Sequence, residues 1–65
     1  MKICLNGEDR ETAGPTLAAL VEEAGFAATK IATAVNGEFV PALARSQRTL
    51  TEGDRVEILA PMQGG

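Results

Sequence analysis

The sequence predicts an α+β domain in which one helix packs across one face of a mostly antiparallel sheet. Three observations carry that prediction. Apolar and polar residues alternate from Met1 to Asn6 and again from Arg55 to Ile58, the period of a half-buried strand. Asn-Gly pairs at Asn6-Gly7 and Asn36-Gly37 each sit between β-prone segments, and they supply the positive φ angles that a tight hairpin turn needs. Between the two pairs, Leu17, Leu20, Val21 and Ala24 fall on a single apolar stripe at helical spacing.

Met1, Ile3 and Leu5 define the first strand, with Cys4 on its opposite face. Asp9 to Ala13 return as a second strand; Arg10, Glu11 and Thr12 give it little apolar signal, which marks an edge. Gly14-Pro15-Thr16 breaks that strand and opens the helix, with Thr16 as N-cap. Gly25 ends the helix in a left-handed cap and brings Phe26 against Val21. Glu22 and Glu23 lie at the unfavourable end of the helix dipole, at a cost of about a few tenths of a kcal/mol each. They read as a solvated face, with a patch for a basic partner as the alternative.

Ile31 to Val35 form a short strand with small residues on one face and branched residues on the other; the alternation does not decide which face meets the helix. Glu38-Phe39-Val40 return from the second Asn-Gly turn, and Pro41 closes that strand as short or edge-placed. Residues 42–49 show no period. Leu43 and Leu50 are expected to anchor them, while Arg45 and Arg48 stay in water. Thr51-Glu52-Gly53-Asp54 has glycine at the third position of a type II turn. Arg55 to Leu59 make the last strand, with Val56 and Ile58 on one face, and residues 60–65 are expected to form a flexible C-terminal tail.

The totals exclude several classes. Sixty-five residues make one domain, 1–65, at the small end of what folds without staples. The single Cys4 excludes an internal disulfide, and with no His there is no Cys/His set for zinc, haem or an iron–sulfur cluster. No run approaches the ~18 apolar residues of a membrane span, and the first five residues lack the apolar length of a signal peptide. A cytoplasmic protein is expected, with no membrane partner. A net charge of −3 without a basic stripe or stacking aromatics argues against nucleic acid.

Catalytic side chains are missing: there is no His, Trp or Tyr. Cys4 reads as a small residue packed beside the sheet, because a catalytic thiol needs a base or a positive neighbour and no His is available. Chemistry is therefore expected at the α-carboxylate of Gly65. Such a group titrates near ~3.5 and is ionised at neutral pH, so it must be activated by a partner. Gly64 and Gly65 carry no side-chain bulk, and an enzyme cleft can close around their bare backbone. At roughly 3.3 to 3.6 Å per residue, the six residues from Ala60 span about 20 Å, enough to enter a deep site. The alternative is a frayed end or linker with no task.

The ordered set Ala34-Val35-Asn36-Gly37-Glu38-Phe39-Val40-Pro41, Leu50, Glu52-Gly53-Asp54, Val56-Glu57-Ile58 and Gly64-Gly65 resembles the ThiS family, the sulfur carriers of thiamine biosynthesis. That family is a member of the ubiquitin-like, β-grasp group, which also holds the MoaD subunits of molybdopterin synthase. One neighbourhood departs from the family pattern. Ala42 follows Pro41 where a basic residue is frequent, and Leu43-Ala44-Arg45 replaces a segment that often carries Trp, with Arg45 as the candidate for the basic role.

The resemblance implies a β-grasp fold, a mixed sheet of four to five strands with one helix packed across one face, and a carrier rather than an enzyme. A ThiF-like adenylating enzyme, using ATP and magnesium, would join the Gly65 carboxylate to AMP; a persulfide donor would then leave a thiocarboxylate. That group would give sulfur to a ThiG-like thiazole synthase, and the carrier itself would hold no permanent cofactor or metal. Met62, Gln63 and Gly64 would thread into the partner sites. Phe39, Leu59 and Pro61, with Met62, would offer apolar docking contacts on the sheet face away from the helix. Other acceptors stay open: a molybdopterin precursor, a target lysine as for a ubiquitin-like modifier, or none if the domain is a non-covalent interaction module.

Overall fold

Both Asn-Gly pairs turn the chain as their chemistry requires. In the computed structural model, which describes residues 1–60, Asn6 and Gly7 adopt φ of 51° and 85°, and Asn36 and Gly37 repeat this with 52° and 85°. Two positive angles in succession are those of a type I′ turn, whose twist matches the strands it joins. The first turn links β1 (Lys2–Leu5) to β2 (Glu8–Glu11), and the second links β3 (Ala32–Val35) to β4 (Glu38–Val40). Helix α1 (Leu17–Glu23) lies between the hairpins in sequence, and β5 (Arg55–Leu59) comes last.

The strands form one sheet in the order β2-β1-β5-β3-β4. β5 therefore fills the centre, parallel to β1 and antiparallel to β3, while each hairpin pairs within itself. The parallel pair makes the sheet mixed, as the resemblance implies. β2 ends at Glu11, short of the Ala13 expected, because Thr12 turns inward: its hydroxyl donates to Glu23 Oε1 at 2.8 Å and accepts from the Gly14 N–H at 3.1 Å. Arg10 adds an ion pair to Glu23 at 3.6 Å. The edge strand is thus held to the helix by polar contacts, which explains its weak apolar signal. Glu23 is correspondingly a structural partner, and only Glu22 keeps the purely solvated role expected of both.

A seven-residue helix is too short to persist alone, so its ends must be satisfied from outside. Thr16 Oγ1 accepts from the Ala19 N–H at 3.2 Å, as its N-cap role predicts. The Leu17 N–H donates to the Arg48 carbonyl at 2.9 Å and that of Ala18 to the Arg45 carbonyl at 3.1 Å. At the other end Gly25, with φ of 84°, lets Phe26 N–H reach the Val21 carbonyl at 3.1 Å and Gly25 N–H the Glu22 carbonyl at 3.0 Å. This pair of bonds is a Schellman cap, and Phe26 packs on the core beside it.

The core lies between α1 and one sheet face: Ile3, Val35, Val40, Val56 and Ile58 from the strands meet Leu17, Leu20 and Val21, and Leu50 closes one side. The branched face of β3 is the inner one, since Thr33 and Val35 are buried. Two expectations for residues 42–49 fail. Leu43 is 95% exposed, because the one-turn 3₁₀ segment Ala42–Ala44 turns Ala44 inward instead. Arg45 is buried, at 5% exposure.

The burial of Arg45 has a local cause. Its guanidinium donates to the carbonyls of Ala28 at 2.7 Å and Ile31 at 2.8 Å, and its Nε–H to Thr33 Oγ1 at 3.0 Å. The two carbonyls belong to the first residue of the 3₁₀ turn Ala28–Lys30 and to the residue that follows it. A flat fork of donors meets all three acceptors at once, which no other side chain can do. Arg45 is therefore spent inside the fold and does not replace an exposed basic residue.

Candidate functional site

β5 leads the chain from the middle of the sheet to Ala60, the last described residue. Backbone ladders hold it on both sides, and the two turn asparagines add side-chain bonds. Asn6 Oδ1 accepts from the Ile58 N–H at 2.8 Å, and Asn6 Nδ2 donates to the Ile58 carbonyl at 3.2 Å. Asn36 Oδ1 accepts from the Arg55 N–H at 2.9 Å, and Asn36 Nδ2 donates to Asp54 Oδ1 at 3.0 Å. The residue type that forms the turns thus also clamps β5, Asn36 at its start and Asn6 near the end that leads into the C-terminal segment.

Asp54 stands where β5 begins. It is buried, which raises its pKa; the Thr51 N–H at 2.8 Å, the Asn36 amide, the Thr51 hydroxyl at 3.1 Å and the charge of Arg48 outweigh that effect. Its carboxyl is held below the ordinary aspartate value as a result. Gly53, at φ of 87°, and the bond from Asp54 N–H to the Thr51 carbonyl at 3.1 Å complete the expected type II turn.

The sheet face away from the helix divides in two. Toward β2 it carries Lys2, Glu11, Asp9 and Arg55, paired across the strands as Lys2 with Glu11 and Cys4 with Asp9 and Arg55. Toward β4 it is apolar. Phe39 and Leu59, 69% and 70% exposed, stand on either side of Ala32 and Ala34, which register against Leu59 and Phe39 respectively. These small residues leave a hollow of about 100 Å³ bounded by Phe39, Glu57 and Leu59. A second hollow, bordered by Lys30, Ile31, Leu59 and Ala60, adjoins the point where β5 ends.

The structure thus brings Phe39 and Leu59 together on the face on which docking was expected. Pro61, Met62, Gln63, Gly64 and Gly65 lie outside the described residues, as does all of the expected tail beyond Ala60. Cys4 is half-buried on the outer face. Among the described residues no group of His, Cys, Asp and Glu could hold a metal ion, and no helix is long and apolar enough to cross a membrane. Sequence reasoning missed the clamping by Asn6 and Asn36 and the inward turn of Arg45. The only signal for the latter was Thr33, a hydroxyl on an otherwise apolar inner face that needs a partner.

The family model "ThiS family" matches residues 3–65. The sulfur carrier protein ThiS of Thermus thermophilus is 41% identical over 63 residues, covering 97% of this chain and 98% of that protein. A thiazole synthase of Paramagnetospirillum magneticum is 39% identical over 66 residues; all of this chain is covered, but the chain spans only 20% of that protein's length. The crystal structure of a thiamine biosynthesis protein (ThiS) from Geobacter metallireducens superposes with a TM-score of 0.84 at 29% identity, each chain covered in full. The solution structure of a thiamine biosynthesis protein from the same organism gives 0.83 at 29% identity, with 88% of that chain covered. The one-helix, five-stranded mixed sheet is accordingly a β-grasp fold. Strand order, both turns and the exposed apolar half-face all fall within the matched span, and the chain belongs to the ThiS family.

Proposed function

We propose that this chain is a sulfur carrier in thiamine biosynthesis, acting as the co-substrate of other enzymes and not as an enzyme itself. The observation that carries this reading is the 41% identity to a sulfur carrier protein ThiS across nearly the whole of both chains. The family match runs through to Gly65, which supports that residue as the reactive one. A Gly65 carboxylate oxygen attacks the α-phosphorus of ATP on a ThiF-like adenylating enzyme, with magnesium, and pyrophosphate leaves. The resulting acyl adenylate is a mixed anhydride with a good leaving group. The outer sulfur of a persulfide donor then displaces AMP, and a second thiol cleaves the acyl disulfide, is itself oxidised to a disulfide, and releases the thiocarboxylate. That soft nucleophile gives its sulfur to a ThiG-like thiazole synthase.

Each part of the chain has a place in this scheme. β5, held in the sheet centre, fixes the root of the segment that carries Gly64 and Gly65. Met62, Gln63 and Gly64 thread into the partner's cleft, where the lack of a side chain at Gly64 admits the backbone. Phe39 and Leu59, joined by Pro61, dock the body. A relative of this chain within a longer protein named thiazole synthase supports that enzyme as a partner. ATP and magnesium belong to the adenylating partner.

The test is intact-mass measurement of the protein from cells that are making thiamine, which is expected to show one carboxyl oxygen exchanged for sulfur. A chain extended by one residue past Gly65 is expected to lose both the mass change and support of thiamine synthesis. Gly64→Leu is expected to lose adenylation while unfolding as the unaltered chain does. Thiamine synthesis that persists with the extended chain would refute the proposal.

A further inference from the structure

Glu57 borders the apolar half of the outer face at a specific position; Arg55, two residues earlier on the same face of β5, registers against Cys4 and makes no ion pair with Glu57 among the described residues. Ala34 is the register partner of Phe39 on one side and of Glu57 on the other. With neighbouring strands about 4.8 Å apart, Phe39 and Glu57 stand roughly 10 Å from each other across the Ala34 methyl. Ala32 and Leu59 form the next row, so the hollow of about 100 Å³ has an alanine floor, an aromatic wall and a carboxylate wall. Glu57 takes part in neither of the ion pairs formed among the described residues.

We infer that this hollow seats a single arginine side chain of the adenylating partner, an inference that rests on the carrier reading above. A purely apolar partner would remove the Glu57 carboxylate from water with no ion pair already formed to offset the loss, which is costly. A basic side chain matches all three surfaces. Its methylene stem lies over Ala32 and Ala34, its charge meets Glu57, and its head sits against the Phe39 ring. Arginine fits better than lysine because a planar guanidinium stacks on an aromatic ring while offering a carboxylate two parallel donors. The net charge of −3 favours approach of such a basic partner. Apolar contact with Phe39 and Leu59 then supplies affinity, and Glu57 supplies the register of docking.

Two measurements test this. N-acetyl-arginine amide titrated into the full isotope-labelled chain is expected to shift the Ala34 methyl and the Phe39 ring, whereas the neutral citrulline amide and a Glu57→Gln chain give no such shifts. In binding to the adenylating enzyme, Glu57→Gln is expected to weaken affinity about tenfold and flatten its salt dependence. Ala34→Leu, which fills the floor, is expected to weaken it as well. Equal shifts from the citrulline amide, or unaltered binding by Glu57→Gln, would overturn the seat; weakened binding of the thiazole synthase alone would overturn the choice of occupant. Absence of sulfur loading in the unaltered chain counts instead against the carrier reading, and the amide titration then still decides whether the hollow takes arginine.

Discussion

Asn6 and Ile58, 52 positions apart in the chain, are joined by two hydrogen bonds between one side-chain amide and one residue's backbone, at 2.8 and 3.2 Å. The amide copies the donor and acceptor of a peptide unit and so extends the β1–β5 ladder past the end of β1. Asn6→Ala is expected to cost about 1 to 3 kcal/mol through the stranded Ile58 groups, and about 1 kcal/mol more for an alanine at positive φ. Asn6→Gly keeps the turn and loses only the clamp, so it should be the milder change. Urea denaturation of the two variants checks the ranking, and hydrogen exchange at the Ile58 amide should quicken in both.

Arg45 is predicted to matter more than any surface charge. Arg45→Met leaves the Ala28 and Ile31 carbonyls and the Thr33 hydroxyl without their donor, at about 1 to 3 kcal/mol for each group that water cannot reach. In a domain of this size that is a large share of the total stability. Arg45→Lys keeps the charge but not the fork, and is expected to fall between Met and the unaltered chain. Thermal unfolding measures this; melting temperatures within a degree or so of one another would show that the fork contributes nothing.

Asp54 sets the expected acid limb of stability. Its folded pKa lies below its unfolded value, so its contribution is fully present above the unfolded pKa of about 3.9. It is lost as pH falls through that value toward the folded one. Asp54→Asn removes the contribution. The difference in urea midpoint between the two chains should be constant near neutrality and shrink below about pH 4. A difference that does not change with pH would mean that the carboxylate's charge has no part in holding the turn.

Much of the fold was legible because local chemistry and global packing agree. Thr16, Gly25 and both Asn-Gly pairs each demand one backbone conformation, and each received it. The alternation in β1 and β5 placed Ile3, Val56 and Ile58 in the core. The segment from Ala42 to Arg48 was illegible for a physical reason: its conformation is set by acceptors elsewhere in the chain. Arg45 answers to Ala28, Ile31 and Thr33, and its own carbonyl serves the Ala18 N–H. No short-range pattern encodes such debts. The sequence singled out Phe39 and Leu59, which the structure leaves exposed on one face, but not Glu57, whose setting depends on the cross-strand register that puts it opposite Ala34.

The place of β5 also makes it the one strand on which the continuity of the described sheet depends. The two hairpins, β2-β1 and β3-β4, can each close locally, yet no strand ladder joins one to the other in the finished sheet. Their facing edges are both completed by β5, which lies in the gap and pairs with each. The inner edge of each ribbon, β1 on one side and β3 on the other, therefore gains its backbone partner only from β5, and the sheet is whole only once that strand is seated.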